Sequence, residues 1–127
     1  MKLLFIAVLG LCGVFSRYYV GLFVARILPT PFPLGTFIIN VVGSFLIGFI
    51  YAIGVEKGMM SESLRVGLLV GFLGGFTTFS SFALDSVRLA EQSEYLLGGL
   101  YFFGSPIVGF IAATAGLFLA RITVRPL

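Results

Sequence analysis

The run GGFTTFSSF, residues 74–82, is the part of the sequence whose residue types could bind an ion. It joins two glycines to hydroxyl side chains and to three phenylalanines, of which Phe79 and Phe82 follow the break at i and i+3. The glycines are Gly74 and Gly75, and the hydroxyls belong to Thr77, Thr78, Ser80 and Ser81. Adjacent glycines favour a helix end, which inside lipid leaves carbonyls on one side of the break and N–H groups on the other. A cation can satisfy such carbonyls, and an anion or a hydroxyl can satisfy the amides. The run therefore predicts an interrupted helix with an ion site. Taken alone, the aromatic pair favours core packing, with the hydroxyls bonded to their own helix; the whole run beside the double glycine favours the ion site.

Two further polar side chains, Asn40 and Arg17, lie within apolar segments. An amide in a bilayer either joins two helices by hydrogen bonds or offers N–H donors to a small anion. Arginine at a helix centre costs roughly 2.5–3.5 kcal/mol on insertion scales. No acidic residue in the first two segments can pair with Arg17, so it could cap carbonyls at the interruption, snorkel, or supply a positive potential.

The elements that must position these residues are membrane-spanning helices. Hydrophobic residues make up 59% of the chain and charged residues 10%, with a mean hydropathy of +1.15. A soluble domain carries about 25% charged residues, so lipid must be part of the solvent. Apolar segments at about 3–28, 35–55, 64–90 and 96–122 predict a single all-α membrane domain of four spans, with the third broken near 74–78.

Smaller patterns refine the third span. Gly67, Gly71 and Gly75 recur every four residues, which predicts a small-residue face that lets another helix approach closely. Ser61 is a suitable start for this helix. Asp85, near its end, could pair with Arg88 at i+3. No carboxylate is placed for proton-coupled pumping.

Charge and composition exclude several classes of function. The net charge of +3 sits at span ends, which speaks against nucleic-acid binding and for membrane anchoring. With no His and one Cys, zinc sites and His-based acid–base catalysis are excluded. If the termini and the second loop share a side, that side holds most of the basic residues: Lys2, Lys57, Arg65, Arg121 and Arg125. The bias is weak for so few charges, and insertion in both orientations is compatible with it.

Together these residues resemble the Fluc (CrcB-type) fluoride channels. The specific match is residues 71–82, GFLGGFTTFSSF, in the third span. Weaker matches lie in residues 13–18 and at four positions of the second span: Gly35, Thr36, Asn40 and Gly43. The similarity covers essentially the whole chain in length and segment order.

The resemblance implies a passive channel, not an enzyme, that exports fluoride across the cell inner (plasma) membrane. It implies an antiparallel, dual-topology homodimer with two pores and a structural Na⁺ at its centre, held by carbonyls that match Gly74 and Thr77. The pore residues that it carries over are Asn40, Phe79, Ser80, Ser81, Phe82 and Thr114, and Arg17 matches the arginine of the family's first span. One departure is Phe110, where a further hydroxyl often precedes Thr114 by a turn.

Two rivals remain at this point. A small dual-topology multidrug-type exporter would need a carboxylate in the first span, where this chain has Arg17. A non-transporting assembly subunit would have no evident use for an interrupted helix.

Overall fold

The computed structural model describes residues 1–124, and within them it forms four long helical spans. These are Lys2–Ile27, Leu34–Glu56, Glu62–Glu91 and Tyr95–Thr123. Each is long and apolar enough to cross a bilayer, which confirms the prediction of an all-helical chain with four spans. Arg125, predicted to lie at a membrane interface, falls outside the described residues.

The first and fourth spans are continuous helices, whereas the second and third contain irregular turns. The second is α-helical over Leu34–Tyr51 and π-helical over Ala52–Glu56. The third runs through Glu62–Val66, a π-helical stretch at Gly67–Phe72 and Leu73–Phe76, and it resumes at Phe79–Glu91. The fourth passes through Pro106 without ending.

The first half of the third span packs against the first span through the predicted glycine face. A Cβ on Gly71 would lie 2.7 Å from the Ile6 carbonyl oxygen, and one on Gly75 would lie 2.6 Å from the Gly10 oxygen. An α-helix turns its i+4 residue by about 40° away from residue i. The π-helical stretch holds more residues per turn, which keeps these glycines in line along the neighbouring helix.

The second and fourth spans meet with similar closeness. A Cβ on Gly48 would run into the Ala113 carbonyl, and one on Gly116 would run into the Phe45 carbonyl. Small residues at such crossings allow the backbone-to-backbone packing that drives helix association in lipid. The first and third spans thus form one closely packed pair, and the second and fourth spans form another. These two contacts set how far each helix is shifted along its partner.

Ion pairs tie the spans together at the end that holds the N-terminus. Lys2 pairs with Glu62, and Arg121 pairs with Glu56. The Ser61 side chain caps the third span by accepting from the Leu64 N–H, as predicted. These pairs confirm that the first and third spans begin on the side where the second and fourth end.

An aromatic cluster holds the opposite end together. Phe82, Leu89 and Tyr101 form its buried core, and Phe32 of the first loop packs against them. The Phe32 and Tyr101 rings meet edge to face, with 5.3 Å between their centroids. The cluster anchors the second half of the third span to the fourth span.

Candidate functional site

The interruption of the third span consists of two threonines with extended backbone. Thr77 has φ −81° and ψ 158°, and Thr78 has φ −151° and ψ 116°. The Thr77 N–H and hydroxyl both donate to the Leu73 carbonyl, at 2.9 and 2.8 Å. The Thr78 hydroxyl accepts from the Ser81 N–H at 3.2 Å and caps the helix that follows. Thr77 is therefore the C-cap of the first half of the span, and Thr78 is the N-cap of the second half.

The two glycines before the interruption do not end the helix, so this part of the sequence prediction is wrong. The helix continues through Gly74 and Gly75 to Phe76, and neither glycine has a positive φ. Gly75 is needed instead for the close contact with the first span. A Cβ on Gly74 would meet no atom within 4 Å, so Gly74 faces open space.

Asn40 of the second span holds the interruption with both ends of its amide. Its Nδ2 donates to the Thr78 carbonyl at 2.9 Å, and its Oδ1 accepts from the Thr78 N–H at 2.8 Å. This pairing satisfies both backbone groups of a residue that has left the helix. An amide nitrogen carries two hydrogens, so Asn40 joins two helices and keeps one donor beside the cavity that it lines.

Arg17 of the first span reaches the same place from the other side. Its Nη1 donates to the Thr77 carbonyl at 3.3 Å, so of the roles considered from the sequence it caps a carbonyl at the interruption. Arg17 also lines a cavity of about 710 Å³, here called the second cavity, together with Ser81 and Asp85. Its charge adds a positive potential at the level where the helix is broken.

A cavity of about 580 Å³, here called the first cavity, lies between the second, third and fourth spans. Asn40, Phe79 and Phe82 line it beside Thr77 and Thr78. The two phenyl rings lie 5.8 Å apart between centroids, at 45° to each other. Phe82 is 8% exposed, whereas Phe79 is 80% exposed. The predicted amide and aromatic pair thus meet at one place, with one ring fixed in the core and the other uncovered.

Comparison with known proteins identifies the kind of protein that carries this site. The family described as "CrcB-like protein, Camphor Resistance (CrcB)" matches residues 4–117. The chain belongs to the CrcB-like family. This confirms the resemblance drawn from the third-span motif.

Curated relatives of this CrcB-like chain are similar over almost their whole length. The "Fluoride-specific ion channel FluC 1" of Moorella thermoacetica is 42% identical over 96% of this chain and 87% of its own. The "Fluoride-specific ion channel FluC" of Chlorobium chlorochromatii is 44% identical, over 94% and 92% respectively. The protein of the same name from Rhizobium etli is 42% identical, over 98% and 99%.

The remaining predicted pore hydroxyls of the CrcB-like chain are dispersed. Ser81 lines the second cavity and accepts from the Thr78 hydroxyl at 3.0 Å. Ser80 lies on the exposed surface, 3.4 Å from the same hydroxyl. Thr114 is exposed on the fourth span and donates to the Phe110 carbonyl at 2.9 Å. The described chain does not bring Ser80 or Thr114 to the lining of the first cavity.

The carbonyls at the interruption suit a hard cation. The Gly74 carbonyl loses its ordinary helical donor, because the Thr78 N–H four residues ahead is donated to Asn40. Thr77 directs its carbonyl out of the helix, where Arg17 donates to it. Backbone oxygens freed at a broken helix are a donor set that binds Na⁺ in membrane proteins. The fit therefore rests on the Gly74 carbonyl, whose i+4 N–H bonds Asn40 instead, and on the Thr77 carbonyl, which also accepts from Arg17.

Sequence reasoning missed two hydroxyls of the first cavity, Ser44 and Ser105. The Ser105 hydroxyl is buried, and no residue within 1–124 offers it a hydrogen-bond partner. Ser44 was recognisable, because it follows Asn40 by four residues and residues at that spacing share a helix face. Ser105 lies directly before Pro106 and had no comparable signal.

Asp85 pairs with hydroxyls and not with Arg88, which corrects the i+3 pair suggested by the sequence. Its carboxylate accepts from the Thr36 hydroxyl at 2.8 Å and from the Tyr101 hydroxyl at 3.4 Å. Helix rotation explains the difference: Asp85 is partly buried towards the second and fourth spans, whereas Arg88 is exposed.

Proposed function

We propose that this chain is a fluoride-selective channel that lets fluoride leave the cytoplasm passively. The proposal rests on one observation: Asn40 of the second span and Phe79 and Phe82 of the third line one cavity beside the interrupted helix. The two phenyl rings differ in exposure, since Phe82 is buried and Phe79 is exposed. The names of relatives at 42–44% identity point to the same ion.

The chemistry of the first cavity suits a small, strongly hydrated anion. A narrow path must replace water as it removes it, and the positive edges of phenyl rings, an amide hydrogen and hydroxyls can do so. None of these groups carries a full charge. Binding therefore remains weak enough for the ion to leave, as conduction requires.

A second copy of the chain completes the pore in this proposal. Phe79 is 80% exposed although it lies beside the site, and Gly74 faces open space. A phenyl ring and a glycine at this level are suited to contact an identical subunit. The weak charge bias between the two sides is compatible with an antiparallel, dual-topology pair, which would contain two pores related by its symmetry axis.

The same pairing supplies the ligands for a structural Na⁺. One chain offers the carbonyls of Gly74 and Thr77, and the symmetry of the pair would double that number. Bound there, the cation would neutralise carbonyl ends and offset part of the desolvation of the anion. The Arg17 guanidinium holds the Thr77 peptide in place from within its own chain.

Fluoride efflux from proteoliposomes tests the channel. Phe79→Ala should abolish most of the flux and leave the chain folded, because Phe79 is hardly buried within its own chain. Phe82→Ala should lower both flux and stability. Phe23→Ala is the matched control, since Phe23 is 62% exposed on the first span and lines neither cavity. Its flux should equal that of the wild type.

Wild-type protein without fluoride flux, or full flux in Phe79→Ala, would refute the channel. Proton-coupled transport of organic cations by the wild type would instead identify a drug exporter. That outcome is disfavoured because the first span carries Arg17 where such an exporter needs a carboxylate.

A further inference from the structure

We propose that Ser44 is a further anion-binding residue, which continues the polar path at the level of Gly109, where the fourth span offers the first cavity no hydroxyl. The inference rests on the proposed channel function and adds a residue of the second span to its path.

Ser44 occupies the position that a second polar contact on this helix requires. It follows Asn40 by one helical turn, and both residues line the first cavity. An anion that leaves the Asn40 amide along this helix therefore meets the Ser44 hydroxyl next. Four residues rise about 6 Å along the helix axis, at about 1.5 Å per residue.

The Ser44 hydroxyl is available for a ligand. Serine and threonine hydroxyls in helices often donate to the carbonyl four residues earlier. Thr114 does so to Phe110 at 2.9 Å, and Ser86 does so to Phe82 at 2.8 Å. Within residues 1–124, Ser44 has no such bond. Its hydrogen is therefore free to face the cavity.

Gly109 of the fourth span explains why the hydroxyl comes from the second span. Ser105 gives the fourth span one cavity hydroxyl, and Gly109, one turn later, gives none. A Cβ on Gly109 would lie 3.3 Å from the Ser44 Oγ and 4.0 Å from the Ser44 Cβ. The Ser44 hydroxyl thus fills the space that a side chain at position 109 would need.

This geometry predicts that the hydroxyl can be moved from one helix to the other. In Ser44→Ala the only remaining neighbour of a Cβ at position 109 is 4.0 Å away, an ordinary contact. The double variant Ser44→Ala/Gly109→Ser should therefore pack without strain. It returns a hydroxyl to the same part of the cavity from the opposite wall.

Fluoride efflux from proteoliposomes tests the inference with four variants. Ser44→Ala should lower the rate about five- to tenfold, as expected for one lost hydrogen bond. Ser44→Thr keeps the hydroxyl and should conduct like the wild type. Ser44→Ala/Gly109→Ser should recover most of the lost rate. Ser44→Ala/Gly109→Ala, which adds volume without a hydroxyl, should remain as slow as Ser44→Ala.

Each outcome decides the matter. Undiminished flux in Ser44→Ala, or equal recovery with alanine and serine at position 109, would overturn the role of Ser44. An inactive wild type would overturn the channel itself and is distinguishable from either result. Size-exclusion profiles and thermal unfolding check the fold. If the alanine variant does not fold, Ser44→Cys keeps the shape of the side chain with a weaker donor and should also lower the rate.

Discussion

Asn40 and Thr78 are joined by two hydrogen bonds that use both ends of one amide and both backbone groups of one residue. The residue that fixes the interrupted backbone is thus also one that lines the first cavity. Replacing the Asn40 amide should therefore affect both the stability of the interrupted helix and the passage of an ion through the first cavity.

Replacing Asn40 with Asp should reduce fluoride flux by at least about tenfold and should also lower thermal stability. The carboxylate cannot donate to the Thr78 carbonyl, and it faces that oxygen with a negative charge at a cost of about 1–3 kcal/mol. It also repels an anion in the cavity. Flux and thermal unfolding measure the two effects.

Gln92→Glu is the control for this amide-to-carboxylate change, because Gln92 lies exposed in the loop before the fourth span. It should leave the flux unchanged and lower stability by no more than about 1 kcal/mol, because its carboxylate lies at the C-terminus of Phe79–Glu91, the negative end of the helix dipole. Wild-type flux in Asn40→Asp would contradict a pore role for the amide, and wild-type stability would contradict its bonds to Thr78.

Gly13→Ala should destabilise the protein, whereas Gly104→Ala should not. Alanine favours a helix over glycine by about 0.5–1 kcal/mol. A Cβ on Gly104 meets no atom within 4 Å, whereas one on Gly13 would run into the Phe72 carbonyl and lie 3.0 Å from the Phe76 nitrogen. Thermal unfolding in detergent should show Gly13→Ala destabilised and Gly104→Ala unchanged or raised. Equal effects would mean that the first span does not contact the third as closely as described.

Asp85→Ala should destabilise the protein, and Arg88→Gln should not. The first leaves the hydroxyls of Thr36 and Tyr101 without their acceptor, and Tyr101 is fully buried. An unsatisfied buried hydroxyl costs about 1–3 kcal/mol, whereas an exposed substitution changes stability by about 0.5 kcal/mol or less. A loss of stability in Arg88→Gln similar to that in Asp85→Ala would restore the i+3 pair.

Removal of sodium should lower thermal stability if the carbonyls of Gly74 and Thr77 hold this ion. A ligand present at 100 times its Kd stabilises the folded state by about 2.7 kcal/mol. Exchange into N-methylglucamine chloride at constant ionic strength should lower the unfolding temperature, and sodium should restore it. Identical unfolding curves in the two salts would argue against the cation site.

The spans were predictable because lipid leaves a hydrophobic chain few choices. Backbone groups without water must bond within a helix, so apolar length alone locates the four spans. The interruption was also evident in the run of residues 74–82. The exact position of the break was not predictable, because it depends on the tertiary contacts of Gly75 and Thr77. Gly75 is required by a helix contact, which sequence spacing indicated, while the hydroxyl of Thr77 completes the preceding turn.

The candidate site was predictable only in part, because its cavity is built from three spans. Asn40, Phe79 and Phe82 do line it. The Asn40 bond to Thr78 depends on the depth of one helix relative to another, which no local pattern contains. Thr114 faces outward and stays a prediction for a pore formed with a second copy.

The π-helical stretch Gly67–Phe72 gives the third span a length requirement that its composition does not reveal. Loss of one residue there would turn everything that follows by about 100° and shift it by about 1.5 Å. Thr77 and Thr78 would then miss Arg17 and Asn40 together. Gly67 and Gly71 in this stretch allow the close contact with the first span, while the number of its residues acts as a spacer that sets the angle and depth of the break.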